Sequence, residues 1–343
     1  MSQVIIGLDD AKMEERIKNF CNDYGLGGVL ALHPVSGGLL HKMYRVETSS
    51  GIYAVKVLNP EIMQRPTALQ NTINSEKVSH ALEQIVPVVA AKVFHGAYVT
   101  EQEGVWFMAF DWQEGASVFA PDITVEHCAK IGELLGKIHA ADVEIEGLER
   151  LEEERDVFAW KTLFEAWTVL EGSDANACLE VFLPELLTLD AEVVHALKIS
   201  SAHKVISHRD LDPKNVMWQG NKPYIIDWEA AGYVNPFQEL VEVINYWVTE
   251  LDGSYNFVKL TALVDAYKSY KDIRFVDWDM VLLLSFDGML GWLEYNARRA
   301  VGLLGNEEKD REEGRKQVES TIAEIKRQRA QMEELRSWLY EHR

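Results

Sequence analysis

Residues 206–229 decide the fold: Ile206-Ser207-His208-Arg209-Asp210-Leu211-Asp212-Pro213-Lys214-Asn215, then a short hairpin, then Ile225-Ile226-Asp227-Trp228-Glu229. Moving a phosphoryl group from a nucleotide to a hydroxyl needs a carboxylate that orients and deprotonates the acceptor. It also needs oxygen ligands for Mg²⁺ on the phosphates. Asp210 stands where the base would be, in a loop that Pro213 keeps non-helical. Asn215 and Asp227 offer hard oxygens of the kind Mg²⁺ prefers. The plain alternative is a set of turn-forming polar residues, common in any loop. An eight-residue H-R-D-L-x-x-x-N pattern with a hydrophobic-flanked aspartate twelve residues later weighs against it.

The N-terminal half carries a second pattern. Ala54-Val55-Lys56 reads as strand, so Ala54 and Lys56 share a face and Val55 points away. A small residue beside an adenine and a lysine reaching phosphates need that geometry. Twenty residues on, Glu76 falls on the otherwise apolar Leu69/Ile73 face of a helix. A carboxylate there is costly unless paired, and Lys56 is the expected partner. Upstream, Ser36 and Gly37, with Gly38, suit either a phosphate-covering turn or a plain hairpin turn. Met108-Ala109-Phe110-Asp111-Trp112 closes the last strand; by position alone Met108, Phe110 and Trp112 fall at an adenine edge, and a plain buried edge strand predicts the same sequence.

Elements follow from periodicity. Strands are predicted at 26–35, 44–48, 52–58, 88–94, 105–110, 216–219 and 224–226. Helices are predicted at 67–84, 124–140, 156–200 (with breaks at Gly172 and Pro184) and from about 236 onward. The last forty residues keep Val318, Ile322, Ile325, Met332, Leu335 and Leu339 at roughly helical spacing, as a docked terminal helix would. The chain of 343 residues carries 34 Lys and Arg against 55 Asp and Glu, a net charge of −21. That excess argues against nucleic acid and anionic membranes, and no apolar run is long enough to span a bilayer. Three cysteines are too few and scattered for a disulfide framework or zinc site. The acidic start lacks a signal peptide's basic opening, so a cytoplasmic location is expected. No protein partner is inferred.

These residues resemble the aminoglycoside phosphotransferase and choline kinase group of protein-kinase-like small-molecule kinases, from about Ser36 to Gly302. The resemblance implies an α+β, two-lobed fold: an antiparallel sheet lobe with one helix, residues 1–111, and a larger helical lobe, 112–343. It implies ATP or GTP with Mg²⁺, and transfer to a small hydroxylated acceptor. Many members carry glycine where this chain has Arg209. Protein kinases place a lysine two residues after the base, where this chain has Asp212; its lysine is Lys214. Helical sequence resumes by Pro236, which leaves no room for an activation loop and argues against a protein kinase.

Acidic residues sit where the family binds its acceptor: Asp212, Glu229, Asp287 and Glu294, with Trp228, Trp292 and Tyr295. They suit a cationic acceptor, such as an aminoglycoside-like or other basic antibiotic, through ion pairs and cation–π contact. Each has a plainer reading too. Asp212 could cap its turn, Glu229 could pair with a lysine or join the metal site, and Glu294 could pair with Arg298 one turn on. The alternatives for the whole are a metabolic kinase of choline, homoserine or a sugar, and an inactive nucleotide-binding scaffold.

Overall fold

The computed structural model describes residues 10–35, 41–150, 155–171, 177–199, 204–304 and 308–343. In chain order the elements are α1 (Asp10–Asp23), β1 (Val29–Val35), β2 (Lys42–Thr48), β3 (Gly51–Val57), α2 (Pro60–Met63), α3 (Ala68–Leu82), β4 (Thr100–Gln102), β5 (Val105–Asp111), α4 (Val125–Ala140), α5 (Trp160–Glu171) and α6 (Ala177–Ile199). There follow β6 (Val205–Ser207), β7 (Val216–Gln219), β8 (Lys222–Ile225), β9 (Gly232–Val234), α7 (Pro236–Val248), α8 (Phe257–Lys268), α9 (Trp278–Leu284), α10 (Asp287–Ala300) and α11 (Glu308–Glu341). Short 3₁₀ turns occupy Pro213–Asn215 and Trp228–Ala230. No helix among the described residues is long and apolar enough to cross a membrane. The chain forms two compact units. One holds the described residues of Met1–Lys130, Lys137–Leu148 and Ile206–Gly232, and the other holds Ile131–Gly136, Glu149–Val205 and Tyr233–Arg343.

In the first unit, five antiparallel strands lie in the order β1-β2-β3-β5-β4. The β2–β3 turn is closed by Thr48, whose Oγ1 accepts from the Ser50 and Gly51 N–H groups at 3.1 and 3.2 Å and donates to Leu26 O at 2.6 Å. Register then runs Met43↔Lys56↔Met108 and Arg45↔Ala54↔Phe110 across three strands. Opposed residues share a face, so Lys56 stands beside Ala54, Met108 and Phe110. The other face buries Tyr44, Val46, Val55, Val57, Phe107 and Ala109 against Met13, Ile17, Phe20 and Cys21 of α1. The sheet lobe therefore has more than the one helix expected. The spacing of those four residues, i, i+4, i+7, i+8, is that of an apolar helix stripe.

The strand expected at 88–94 is instead an extended connector. Val89 N donates to Ile225 O at 3.0 Å near one end, and Lys92 N donates to Ala109 O at 2.7 Å near the other. Its donors are split between β8 and β5, so no continuous ladder forms.

The second unit is helical. Trp160, Phe164 and Trp167 of α5 meet Phe182 and Leu186 of α6, Leu290, Leu293 and Ala297 of α10, and Val318, Ile322 and Ile325 of α11. The terminal helix is docked, as its spacing suggested. Pro184 does not break its helix but sits inside α6, and the break expected at Gly172 lies outside the described residues. α10 and α11 approach closely at Gly314, where a Cβ would lie 2.7 Å from Ala300 N and 2.9 Å from Asn296 O. Because those neighbours are backbone, Gly314→Ala is expected to cost about 2 kcal/mol or more, read by equilibrium denaturation. Unchanged stability would show that the two helices do not pack at this distance.

Candidate active site

The candidate residues of the first unit converge through local backbone devices. Asp212 accepts the Lys214 N–H at 2.8 Å and caps the turn Pro213–Asn215, the plainer of its two expected roles. That turn folds Asn215 back on Asp210: its Nδ2 donates to Asp210 O at 2.8 Å and to Asp210 Oδ2 at 2.9 Å. It also brings Lys214 Nζ to 3.2 Å from Asp210 Oδ2. A cation thus sits beside this carboxylate although the lysine is four residues on rather than two. Burial lifts the Asp210 carboxyl above its ordinary range, against the pull of Lys214 and His208.

His208 is fully buried and ties this loop to the residue that follows β8. Its Nδ1 accepts the Asp210 N–H at 3.2 Å, and its Nε2 lies 3.0 Å from Ile226 O. An acceptor at Nδ1 leaves the ring proton on Nε2. Immediately after Ile226, Asp227 turns into the left-handed region, with φ 57° and ψ 66°. Aspartate tolerates this conformation better than most residues. Arg209 also has a positive φ, 66°. Glycine takes that conformation without steric cost; an arginine there does not.

Lys56 does not pair with Glu76. Its Nζ lies 3.4 Å from Asp227 Oδ1 and hydrogen-bonds Glu229 Oε1. Burial would lower the Lys56 ammonium, but the charges of Asp227 and Glu229 hold it above its ordinary value. Glu76, 5 % exposed, accepts instead from Ala91 N at 2.9 Å and Ser79 Oγ at 3.0 Å. The connector supplies the first of these donors, so a backbone group has taken the place expected for the lysine. Burial lifts the Glu76 carboxyl, with those hydrogen bonds and the nearby charges of His80 and Lys56 opposing.

Glu229 has a second partner that sequence reasoning missed. His41 Nε2 lies 3.3 Å from its Oε1. Burial pushes Glu229 up, but the His41 hydrogen bond and the Lys56 charge outweigh it and bring it down to about 2. A lone histidine before a strand carries no local pattern that would have marked it.

Met108 is buried with Leu58, Ala91 and Val99. The Trp112 indole donates to Glu114 at 2.9 Å, with the Arg45 guanidinium 5.3 Å from the ring. Ser36 and Gly37 lie outside the described residues. In the second unit, Asp287 is held by Arg155 Nε at 2.7 Å, and Glu294 faces Arg298 at 3.4 Å. A groove of about 500 Å³, lined by His80, Glu83, Lys92, Asp111 and Tyr224 among others, contains none of the clustered residues.

Metal fit follows from the donors. No three His, Cys, Asp or Glu side chains converge as a cage among the described residues. Mg²⁺ is commonly held by one or two carboxylates together with substrate phosphates, and Asp227 with Asn215 matches that incomplete set.

The Phosphotransferase enzyme family model matches residues 31–273. The chain belongs to this family. The phosphotransferase is 25% identical to the homoserine kinase of Xanthobacter autotrophicus over 258 residues, 75% of this chain and 77% of that one. Its fold matches spectinomycin phosphotransferase, solved with ADP and spectinomycin, at TM-score 0.62 and 13% identity, over 89% and 93% of the two chains. It also matches choline kinase from Cryptosporidium parvum at TM-score 0.62 and 10% identity, over 95% and 99%. The two-lobed kinase-like architecture and the aminoglycoside phosphotransferase and choline kinase group are those expected from the sequence.

A buried carboxyl held above its ordinary range adds stability while protonated, and loses it as pH rises through the raised value. Glu76→Gln is therefore expected to raise the melting temperature of the phosphotransferase at pH 8 and to leave it nearly unchanged near pH 4. A lower melting temperature at pH 8 would show that the charged form is the one the fold favours.

Proposed function

We propose that this phosphotransferase moves the γ-phosphate of ATP or GTP to the hydroxyl of a small, amine-bearing acceptor. The observation that carries this is the assembly, within one compact unit, of Asp210 braced by Asn215 and Lys214 beside the turn that bears Asp227. Asp210 is the base. Its lifted carboxyl is a better proton acceptor than an ordinary aspartate, and Asn215 Nδ2 leaves the second carboxylate oxygen free of that bond to face the acceptor hydroxyl. Lys56 takes the α- and β-phosphates, under a sheet face whose Met108, Phe110 and Trp112 line the base. Glu76 backs the lysine by charge. Asp227 and Asn215 would hold Mg²⁺, which when bound neutralises phosphate charge. Residues 1–111 form the nucleotide-binding lobe in this reading, and 112–343 the catalytic and acceptor lobe.

The acceptor is narrowed by the relatives and by the charges. Homoserine, choline and spectinomycin, named for the three similar proteins, all combine a hydroxyl with an amine or quaternary nitrogen. Arg155 on Asp287 and Arg298 on Glu294 offset two of the carboxylates that would favour a polycation. This supports a small acceptor with a single cationic nitrogen, such as homoserine or choline, ahead of a basic antibiotic. The net charge of −21 keeps the antibiotic as the second reading, and the retained Asp210 speaks against an inactive scaffold.

Coupled turnover over homoserine, choline, simple amino-alcohols and aminoglycosides tests this. Phosphorylation of an amine-bearing acceptor is expected, and a neutral sugar as best substrate would sink the acceptor class. Asp210→Ala is expected to lower kcat by at least about 10²-fold with nucleotide affinity kept; retained turnover would remove the base. Protonation silences Asp210, so kcat/KM should fall on the acid side at a pH above the ordinary aspartate value of about 3.9.

A further inference from the structure

His41 sits at the junction of three segments that the proposed chemistry uses. It immediately precedes β2, whose register with β3 runs to Lys42↔Val57. The residue before β2 therefore falls opposite the chain that leaves β3. There Asn59 N donates to His41 Nδ1 at 2.9 Å, while Asn59 Oδ1 accepts from Glu61 N at 2.9 Å and caps α2. The imidazole is 9% exposed. With Nδ1 occupied as an acceptor, the ring proton is on Nε2, and Nε2 is 3.3 Å from Glu229 Oε1.

The same Glu229 oxygen also accepts from Lys56. In the function proposed above, on which this inference rests, Lys56 turns from this oxygen to a nucleotide's phosphates. When Lys56 departs, Glu229 Oε1 loses its cation. Among the described residues, the donor still aimed at that oxygen is His41, whose orientation is set by the Asn59 backbone and not by Lys56. The Glu229 side chain is 35% exposed, so what the His41 N–H supplies is a fixed place for the carboxylate after the lysine has gone.

We propose that His41 is a positioning residue that retains Glu229 while Lys56 changes partner from protein carboxylates to nucleotide phosphates. It touches neither the acceptor nor the reacting atoms. Its effect reaches the nucleotide through Glu229 and the release of Lys56.

Calorimetric titration with ADP in the presence of EDTA tests this on the full chain. His41→Leu is expected to raise the Kd for ADP about tenfold, the factor carried by a lost hydrogen bond to a charge. His41→Gln keeps an N–H donor near the Nε2 position and should stay within about threefold of the parent. In a Lys56→Met background, where no exchange occurs, His41→Leu should have little further effect. Parent-like binding by His41→Leu would overturn the proposal. Equal weakening by Leu and Gln, or the same loss without Lys56, would do so as well, because packing alone would then explain it.

If His41→Leu does not fold, long-range ¹⁵N spectra of the histidine rings in the unaltered protein decide the matter. An Nε2-protonated His41 tautomer before and after ADP supports retention. A switch to Nδ1 protonation overturns it. Failure of the unaltered protein to bind ADP would instead bring down the nucleotide reading itself, together with this one.

Discussion

One mostly buried ammonium, on a side chain 11% exposed, organises the first unit. Lys56 Nζ reaches Asp227 and Glu229, which lie 171 and 173 residues further along the chain. Buried ions persist only when paired and hydrogen-bonded, so the sheet that carries the lysine and the turn that carries the two carboxylates are held to each other. The register Met43↔Lys56↔Met108 puts the lysine on the face away from α1. The connector from Pro87 then fastens β8, just ahead of Asp227, to the edge of β5.

Around that pair the loop geometry is over-determined by short hydrogen bonds. His208 joins the Asp210 backbone to Ile226, and Asn215 N–H groups grip both the carbonyl and the carboxylate of Asp210. Two non-glycine residues at positive φ, Arg209 and Asp227, flank this knot. Such conformations cost free energy and persist where surrounding contacts hold them, most often where chemistry needs a side chain aimed. The same contacts bring Asp210, Lys214, Asn215 and Asp227 into one unit with Lys56.

The legible part of this arrangement was local. The faces of β3 follow from a period of two, and the H-R-D-L-x-x-x-N pattern marks Asp210 and Asn215, whose pairing across one capped turn the structure adds. Tertiary competition hid the rest. Glu76 is a carboxylate on an apolar face and needs a partner, but Ala91 N fills the place expected for Lys56 because the connector, expected as an ordinary strand, runs past it. His41 had no sequence signature, since its partners lie 18 residues away at Asn59 and across the chain at Glu229. Asp287 looked like a free acidic group, and Arg155, 132 residues earlier, answers it. The apolar stripe of α1, by contrast, is local and present in the sequence at helical spacing.

The most direct test is a crystal structure with bound Mg²⁺ and ADP. Lys56 Nζ should have left Glu229 and lie within hydrogen-bond distance of the phosphates, with the metal on Asp227 and Asn215 and the Asp210 carboxylate still gripped by Asn215. A nucleotide bound elsewhere, with Lys56 still on Glu229, would contradict the assignment of this cluster as the phosphotransfer site.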